Sequence, residues 1–240
     1  MQVIPTNIKG LDTLLGGGIP ESNQVIVTGS PGSGKTLLSF EFAYRSAKAG
    51  ACSIFFALEE STEDVIKNAK NTFKDFTDID DLISKNLLII DGADPSRIIR
   101  DTDETRTGYE FSKVVAEIES LIETYNAKRI VVDSLSIFEL IMENRIVYRR
   151  NMLVFIGNLK RLKVTSILTK EMHSPERSDL SFKEDDFLFD GIIAMYQMGE
   201  KDKRMLGMEV IKMRGINHSR ATAPYEITTS GLNIYAPENL

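Results

Sequence analysis

The sequence predicts an α/β fold in which helices flank a mostly parallel central β-sheet. Apolar, β-branched runs alternate with amphipathic helical segments as far as residue 169, which is typical of parallel strands joined by crossover helices. The last third of the chain is rich in strand-forming runs instead, so we expect it to extend the sheet with antiparallel strands. No repeat or linker-like segment interrupts this pattern, and a single domain over residues 1–240 is therefore expected.

Each strand is predicted from a short apolar run, often β-branched, that polar or turn residues bound at both ends. Such runs lie at residues 24–28, 53–58, 86–91, 128–134, 164–169, 188–198, 205–214, 225–228 and 232–235. The last four runs form two predicted hairpins, with turns at residues 199–203 and at Ser230-Gly231.

Helices are predicted where apolar residues recur at three- and four-residue spacing. These segments lie at residues 11–15, 37–48, 65–76, 109–125 and 146–162. Three glycines and a proline stop the first of them, and a polar Ser-Thr-Glu-Asp run precedes the third in the manner of a helix N-terminus. The polar stretches 92–108 and 173–186 are predicted to be loops.

The composition is that of a soluble globular protein, with 42% hydrophobic and 27% charged residues. The single cysteine, Cys52, excludes an internal disulfide and indicates a reducing compartment. A net charge of −6 gives no overall electrostatic attraction for nucleic acid. Neither an apolar run long enough to span a membrane nor a signal-peptide pattern is visible, so we expect a cytoplasmic protein with no membrane partner.

A glycine-rich loop after the first long strand carries the strongest chemical signal in the sequence. Its residues are Gly29, Ser30, Pro31, Gly32, Ser33, Gly34, Lys35 and Thr36, which match the pattern G-x-x-x-x-G-K-T. Glycines let the backbone curl so that its N–H groups point at a phosphate chain, and the helix that follows favours anions at its N-terminus. Lys35 is expected to reach the β- and γ-phosphates and Thr36 to hold Mg²⁺.

Carboxylates at the ends of two other strands suit hydrolysis at this loop. Asp133 ends an apolar strand, where a Mg²⁺-binding aspartate is expected. Glu59 and Glu60 end the strand after the loop's helix, at the sheet edge where ligands bind, and a carboxylate there can take a proton from water. Because adjacent residues of an extended chain point to opposite faces, one of the two is expected to face the γ-phosphate.

Lys212 and Arg214 lie two residues apart on a predicted strand and so face the same side. They form either an exposed strand face or a phosphate clamp. A clamp far from its own loop would have to act on a neighbouring copy's nucleotide, which requires a head-to-tail ring or filament. Four basic residues of the last predicted helix form either a solvated face or a surface for a neighbour or nucleic acid, namely Arg149, Arg150, Lys160 and Arg161. His173 and His218 are too far apart to indicate a zinc site.

Taken together, these motifs resemble the single-domain KaiC-like branch of the RecA-like P-loop ATPases, of the archaeal type. The resemblance covers roughly residues 5–235. It is carried by Gly10-Leu11-Asp12, residues 14–20, the loop at 29–36, Glu59-Glu60, residues 64–69, Val132-Asp133-Ser134, Arg149-Arg150, Thr169, Glu171, Lys212-Met213-Arg214-Gly215, His218 and Pro224.

This resemblance implies a RecA-like core assembled into a ring, usually a hexamer, with ATP and Mg²⁺ bound between subunits. It implies that Glu59 and Glu60 are catalytic together with Lys35, with Glu59 favoured as the base, and that Thr36, Asp133 and Glu60 lie at the metal. Lys212, Arg214 and His218 would reach a neighbour's nucleotide. The implied nucleotide-binding set is completed by the loop residues 29–36 with Leu37, Asn71, Met213 and Thr228.

The chain departs from the family's clock protein, which has two such domains in tandem, and it has no convincing match to that protein's Ser-Thr autophosphorylation site. We therefore expect a slow regulatory or signalling ATPase with an unidentified protein partner. Two other readings stay open at this stage. One is a recombinase-like, DNA-binding ATPase, and the other is a non-catalytic, ATP-gated scaffold. Phosphate transfer to a protein hydroxyl, as in an autokinase, would use the same residues.

Overall fold

A computed structural model describes residues 2–93, 104–142, 144–172, 177, 182–198 and 205–237 of the chain. A nine-stranded sheet forms its centre, in the order β11-β10-β9-β8-β3-β7-β6-β4-β5. These strands are β3 Gln24–Gly29, β4 Ser53–Ala57, β5 Leu88–Gly92, β6 Arg129–Asp133, β7 Thr165–Glu171, β8 Gly191–Met198, β9 Met205–Met213, β10 Ala223–Thr228 and β11 Gly231–Ile234. Two short strands, β1 Val3–Ile4 and β2 Ile19–Pro20, pair separately.

The strands from β8 to β5 in this order run parallel, whereas β9, β10 and β11 continue the sheet antiparallel. This confirms the predicted fold class. Since parallel strands end at the same edge, β3, β4, β6 and β7 bring their carboxyl ends together. In this register Gly29 lies opposite Glu171, and Ala57 lies opposite Asp133.

Helices cover both faces of the sheet. They are α1 Leu11–Leu14, α2 Lys35–Lys48, α3 Thr62–Thr72, α4 Ile79–Ser84, α5 Glu104–Tyr125, α6 Ser136–Ile141 and α7 Arg145–Arg161. One buried cluster joins one face of the sheet to α1–α4, and a second joins the other face to α5–α7. The sheet therefore lies buried between two helical layers, which leaves its edges and strand ends for function. No helix in the described ranges is long and apolar enough to cross a membrane.

The predicted strands and the five predicted helices all appear, with boundary changes that have local causes. Helix α3 begins at Thr62 rather than at residue 65, because the Ser61 side chain caps it by accepting a hydrogen bond from Asp64 N at 3.1 Å. It ends at Thr72, after which Phe73 turns inward and stacks on Phe76 with ring centroids 4.6 Å apart.

Three predicted connectors differ from the structure or lie partly outside it. Helix α5 begins at Glu104, inside the stretch predicted as a loop at 92–108, and a 3₁₀ turn at Glu184–Leu188 begins inside the stretch predicted as a loop at 173–186. The short helices α4 and α6 were not predicted, since each is only six residues long and shows little periodicity. Residues 94–103, His173 and the turn at 199–203 lie outside the described residues.

Candidate functional site

The glycine-rich loop leads from β3 directly into α2, as the sequence predicts. Two of its glycines are required by their surroundings. A Cβ on Gly29 would lie 2.3 Å from the Met195 carbonyl oxygen. Gly34 has a φ of +89°, and a Cβ on it would lie 2.8 Å from Ile227 Cδ1. The hydroxyls of Ser30 and Ser33 are buried and have no hydrogen-bond partner among the described residues. Buried hydroxyls are usually paired, so this loop has the donors that a phosphate chain needs.

Lys35 is the cation of this loop. Its ammonium donates to the Ser30 carbonyl oxygen at 3.1 Å, which folds the side chain back over the loop. Burial lowers the pKa of Lys35, while the nearby charges of Glu171, Asp133 and Glu59 raise it. One cation therefore faces three carboxylates at this edge of the sheet.

Asp133 ends β6 opposite the loop. Its carboxylate accepts a hydrogen bond from Thr36 Oγ1 at 2.8 Å and another from Thr169 Oγ1. Burial raises the pKa of Asp133, and these two hydroxyl donors oppose that rise. Mg²⁺ prefers oxygen ligands such as hydroxyl and carboxylate groups, so Thr36 and Asp133 are suitable ligands for this ion.

Glu59 and Glu60 point to different partners at the end of β4. Glu59 Oε1 accepts a 2.6 Å hydrogen bond from Ser134 Oγ, beside Asp133, whereas Glu60 Oε2 accepts a 3.0 Å bond from Asn68 of α3. Desolvation raises the pKa of the Glu59 carboxyl, the Ser134 hydroxyl lowers it, and the charge of Asp133 raises it further. Glu59 thus belongs to the group around Lys35, and Glu60 lies toward α3.

A cavity of about 290 Å³ opens between α2 and α3, next to Thr36. Several residues expected at the nucleotide line this cavity, namely Thr36, Leu37, Glu60 and Asn71. Phe40, Val65 and Ala69 supply an apolar wall. A planar base suits such a wall, so the cavity is a candidate base site next to the phosphate loop.

The C-terminal hairpin supports the loop from the other side, which sequence reasoning missed. The Tyr225 hydroxyl of β10 donates to the Ser33 carbonyl oxygen within the loop, and Ile227 packs against Gly34. At the tip, Thr228 Oγ1 donates to Gly231 O at 2.7 Å, and Asp75 N donates to Thr229 O at 3.1 Å. Thr228 therefore lies near the segment that follows α3. No local signal identifies Tyr225, because its role depends on where β10 pairs.

Lys212 and Arg214 lie at the opposite edge of the sheet from the loop. Met195 of β8 pairs with Gly29 and with Met208, whereas Lys212 pairs with Ile192, several residues toward the start of β8. Both cations do reach the same side, where they donate to the Phe187 carbonyl oxygen at 3.0 and 3.4 Å. The structure therefore does not bring this pair to the phosphate loop of its own chain.

Met213 and His218 were also expected to lie near a neighbour's nucleotide. The Met213 side chain is buried in the core, which leaves only its backbone to meet a ligand. His218 is half-buried, with Nδ1 2.9 Å from the Ser219 carbonyl oxygen.

Three of the four basic residues singled out on α7 are ion-paired. Arg149 binds Asp185 at 3.0 Å, Lys160 binds Asp190 at 2.8 Å, and Arg161 binds Glu119 at 3.3 Å. Compensated charge attracts phosphate backbones poorly, so α7 offers less positive charge than its sequence suggests.

Comparison with known proteins is consistent with this arrangement. A family model described as "ATPase: KaiC" matches residues 4–239. The circadian clock oscillator protein KaiC of a Picosynechococcus strain is 32% identical over 236 residues, covering 98% of this chain and 45% of that protein. KaiC 1 of a Synechocystis strain is 30% identical, covering 98% of this chain and 44% of its own length, and KaiC of Synechococcus elongatus is 29% identical, covering 96% and 43%. The chain thus spans less than half the length of these curated relatives.

Proposed function

We propose that this chain, which belongs to the KaiC family of ATPases and binds ATP, hydrolyses ATP slowly in a ring whose nucleotide sites are shared between neighbouring copies. In this proposal the ring acts as a regulatory or signalling ATPase. The observation that carries it is the convergence of Lys35, Thr36, Asp133 and Glu59 at one edge of the sheet, while Lys212 and Arg214 lie at the other. In the same proposal, residues 1–240 form one ATPase domain, which lies in the cytoplasm.

In the proposed mechanism the loop backbone and Lys35 bind the phosphate chain, and α2 directs its N-terminus at the same group. Thr36 and Asp133 would hold Mg²⁺, with Glu60 nearby. That ion, when bound, neutralises charge that develops on the transferred phosphoryl group. The cavity beside Asn71 takes the base.

Glu59 is the general base of this proposal. A water attacks the γ-phosphorus, the bond to the β-phosphate oxygen breaks, and the water's proton passes to the Glu59 carboxylate. Ser134 orients that carboxylate through the 2.6 Å hydrogen bond. Glu60 is a weaker candidate for this role, because its carboxylate is directed toward Asn68.

The position of Lys212 and Arg214 supports the proposal of a shared site. Cations that contact the transferred phosphoryl group raise turnover strongly, and a P-loop ATPase can receive them from a neighbour. A head-to-tail ring would place these two residues of one copy at the loop of the next, and we propose six copies on the family resemblance. Transfer of a circadian role from the longer relatives is not part of the proposal.

The test is steady-state ATP hydrolysis with Mg²⁺, with and without single-stranded DNA, on protein whose mass in solution is measured in parallel. Slow turnover that does not change when DNA is added, measured on an assembly of several subunits, supports the proposal. Several-fold stimulation by DNA, lost with rising salt, would favour a recombinase-like ATPase instead. ATP binding without turnover would indicate a scaffold, and γ-phosphate that appears on protein rather than in solution would indicate a kinase.

A further inference from the structure

Asp190, immediately before β8, is a buried carboxylate at the edge of the sheet that carries Lys212 and Arg214. Asp190 is 5% exposed, and both of its carboxylate oxygens accept hydrogen bonds. Oδ2 accepts from Gln24 N at 3.1 Å, and Oδ1 accepts from Lys160 Nζ at 2.8 Å and from Arg214 Nη1 at 3.3 Å. A buried charge is retained at low cost only when it is paired in this way.

The backbone of Asp190 is fixed as well. Its N–H donates to Gln24 O at 2.8 Å, and its carbonyl oxygen accepts from Arg214 N at 2.9 Å. Gln24 begins β3, the strand that ends at the phosphate loop. Asp190 therefore holds Arg214 by main chain and side chain against the rigid centre of the sheet.

The other cation is held by the same segment. Lys212 Nζ donates to the carbonyl oxygens of Phe187 and Phe189, at 3.0 and 2.6 Å. Partial burial lowers the pKa of Lys212, the charges of Arg214 and Lys160 lower it further, and the charge of Asp190 opposes them. Asp190 is thus the carboxylate that offsets mutual repulsion among three neighbouring cations.

We propose that Asp190 is a positioning residue, which fixes the Arg214 guanidinium in the orientation that reaches the nucleotide of the next copy. The inference rests on the proposed function, because it requires nucleotide sites shared between copies. Without the carboxylate, Arg214 loses its anchor and is repelled by Lys160 and Lys212. The side-chain bond that would remain, from Arg214 Nη2 to the Phe187 carbonyl oxygen, is long at 3.4 Å, and the side chain is 55% exposed, so its orientation would no longer be fixed.

Asp185 provides a matched control in the same segment. It is also buried, at 4% exposure, but its partners are Arg149 at 3.0 Å and Arg145 at 3.6 Å, both on α7. Asp185→Asn removes the same charge from a comparable environment without touching Arg214. It therefore separates the loss of any buried aspartate in this segment from the loss of Asp190.

The experiment uses mixed rings, made by co-expressing two differently tagged variants and purifying through both tags. One variant, Lys35→Ala, keeps Arg214 but has a defective loop. The other, Arg214→Ala, keeps its loop but lacks the guanidinium. Neither is expected to hydrolyse ATP alone, while mixing restores sites at which an intact loop meets an intact Arg214.

Asp190→Asn is then added to one variant at a time. In the Lys35→Ala subunit, which supplies Arg214, this substitution should reduce ATP turnover of the mixed ring roughly tenfold. That loss is smaller than the loss expected when an arginine of this kind is removed altogether. In the Arg214→Ala subunit it should change turnover by less than about twofold. Asp185→Asn should leave turnover unchanged in either subunit.

A loss that is equal in both subunits, or absent from both, would overturn the role of Asp190 and leave the shared site intact. Failure of the two parent variants to complement each other would overturn the shared site itself, and this inference with it. If Asp190→Asn does not fold, Asp190→Glu is tested in the same two mixtures. That variant keeps the charge but displaces it, so a loss confined to the Arg214-supplying subunit again supports the proposal.

Discussion

The two ends of the strands in the central sheet carry opposite arrangements of charge. We call the end with the glycine-rich loop the loop edge, and the end with Asp190, Lys212 and Arg214 the far edge. At the loop edge, the Lys35 ammonium lies among the carboxylates of Glu59, Asp133 and Glu171. At the far edge, one carboxylate, Asp190, lies among the cations Lys160, Lys212 and Arg214. Carboxylates thus surround the cation at one edge and cations surround the carboxylate at the other, a complementarity that would favour a head-to-tail arrangement of copies.

The edges also differ in what they are able to do alone. The loop edge has hydrogen-bond donors for phosphate, oxygen ligands for Mg²⁺ and a candidate base within one chain, so we expect it to bind nucleotide without a neighbouring copy. Among the described residues the far edge has no such loop, and Lys212 and Arg214 donate to carbonyl oxygens of their own chain. Under the proposed function, nucleotide binding therefore depends on the loop edge of one chain, whereas turnover depends also on the far edge of a neighbouring copy.

Substitutions at the two edges should separate nucleotide binding from turnover. They have the largest effects that we expect. Arg214→Ala should reduce turnover by about a thousandfold or more, as for other arginines supplied in trans, and should change ATP affinity by less than about threefold. Lys35→Ala should reduce turnover and should also weaken ATP binding by roughly tenfold to a hundredfold, because it removes charge-assisted hydrogen bonds to phosphate. Calorimetric titration with ATP and steady-state turnover measure the two quantities. Equal loss of affinity in both variants would contradict the division between the edges.

The loop edge is divided in turn between its two glutamates. Glu59→Gln should reduce turnover by roughly a hundredfold to ten-thousandfold while ATP still binds, because an amide cannot accept the proton of the attacking water. Glu60→Gln is the matched control, and its effect on single-turnover hydrolysis should be much smaller. A larger loss from Glu60→Gln would transfer the role of base to Glu60.

Local sequence determined much of the loop edge, and this explains what could be predicted there. The loop at residues 29–36 and Asp133 are defined by neighbours along the chain, so pattern and strand ends were enough to find them. The far edge was left open because the distance of Arg214 from the loop depends on the direction in which β9 pairs with β8. Asp190 gave no signal at all, since its cationic partners lie 24 and 30 residues away in sequence.

Tyr225 shows how the antiparallel strands contribute to the loop edge. Tyr225→Phe removes the hydroxyl bonded to Ser33 O, which should cost about 1 to 3 kcal/mol of stability because a buried carbonyl loses its partner. ATP affinity should fall several-fold as the loop loosens. Tyr235→Phe is the control, because Tyr235 is 53% exposed and its hydroxyl donates to the exposed Glu226 side chain, and the change expected there is below about 0.5 kcal/mol. Thermal unfolding with and without ATP compares the two variants, and equal shifts would argue against support of the loop by β10.

The smallest expected effect concerns the pH dependence of the loop edge. Glu59 must be ionised to accept a proton, so turnover should fall as the pH drops through its pKa, which desolvation holds above the ordinary value. The Ser134 hydroxyl donates to the carboxylate and so favours its charged form. Ser134→Ala should therefore raise the pKa of Glu59 further and move the acidic limb of the turnover profile to higher pH. Ser136→Ala is the control, since its hydroxyl bonds to the backbone N–H of Glu171 rather than to Glu59. A limb that moves to lower pH, or that moves equally in both variants, would mean that a group other than Glu59 limits turnover in acid.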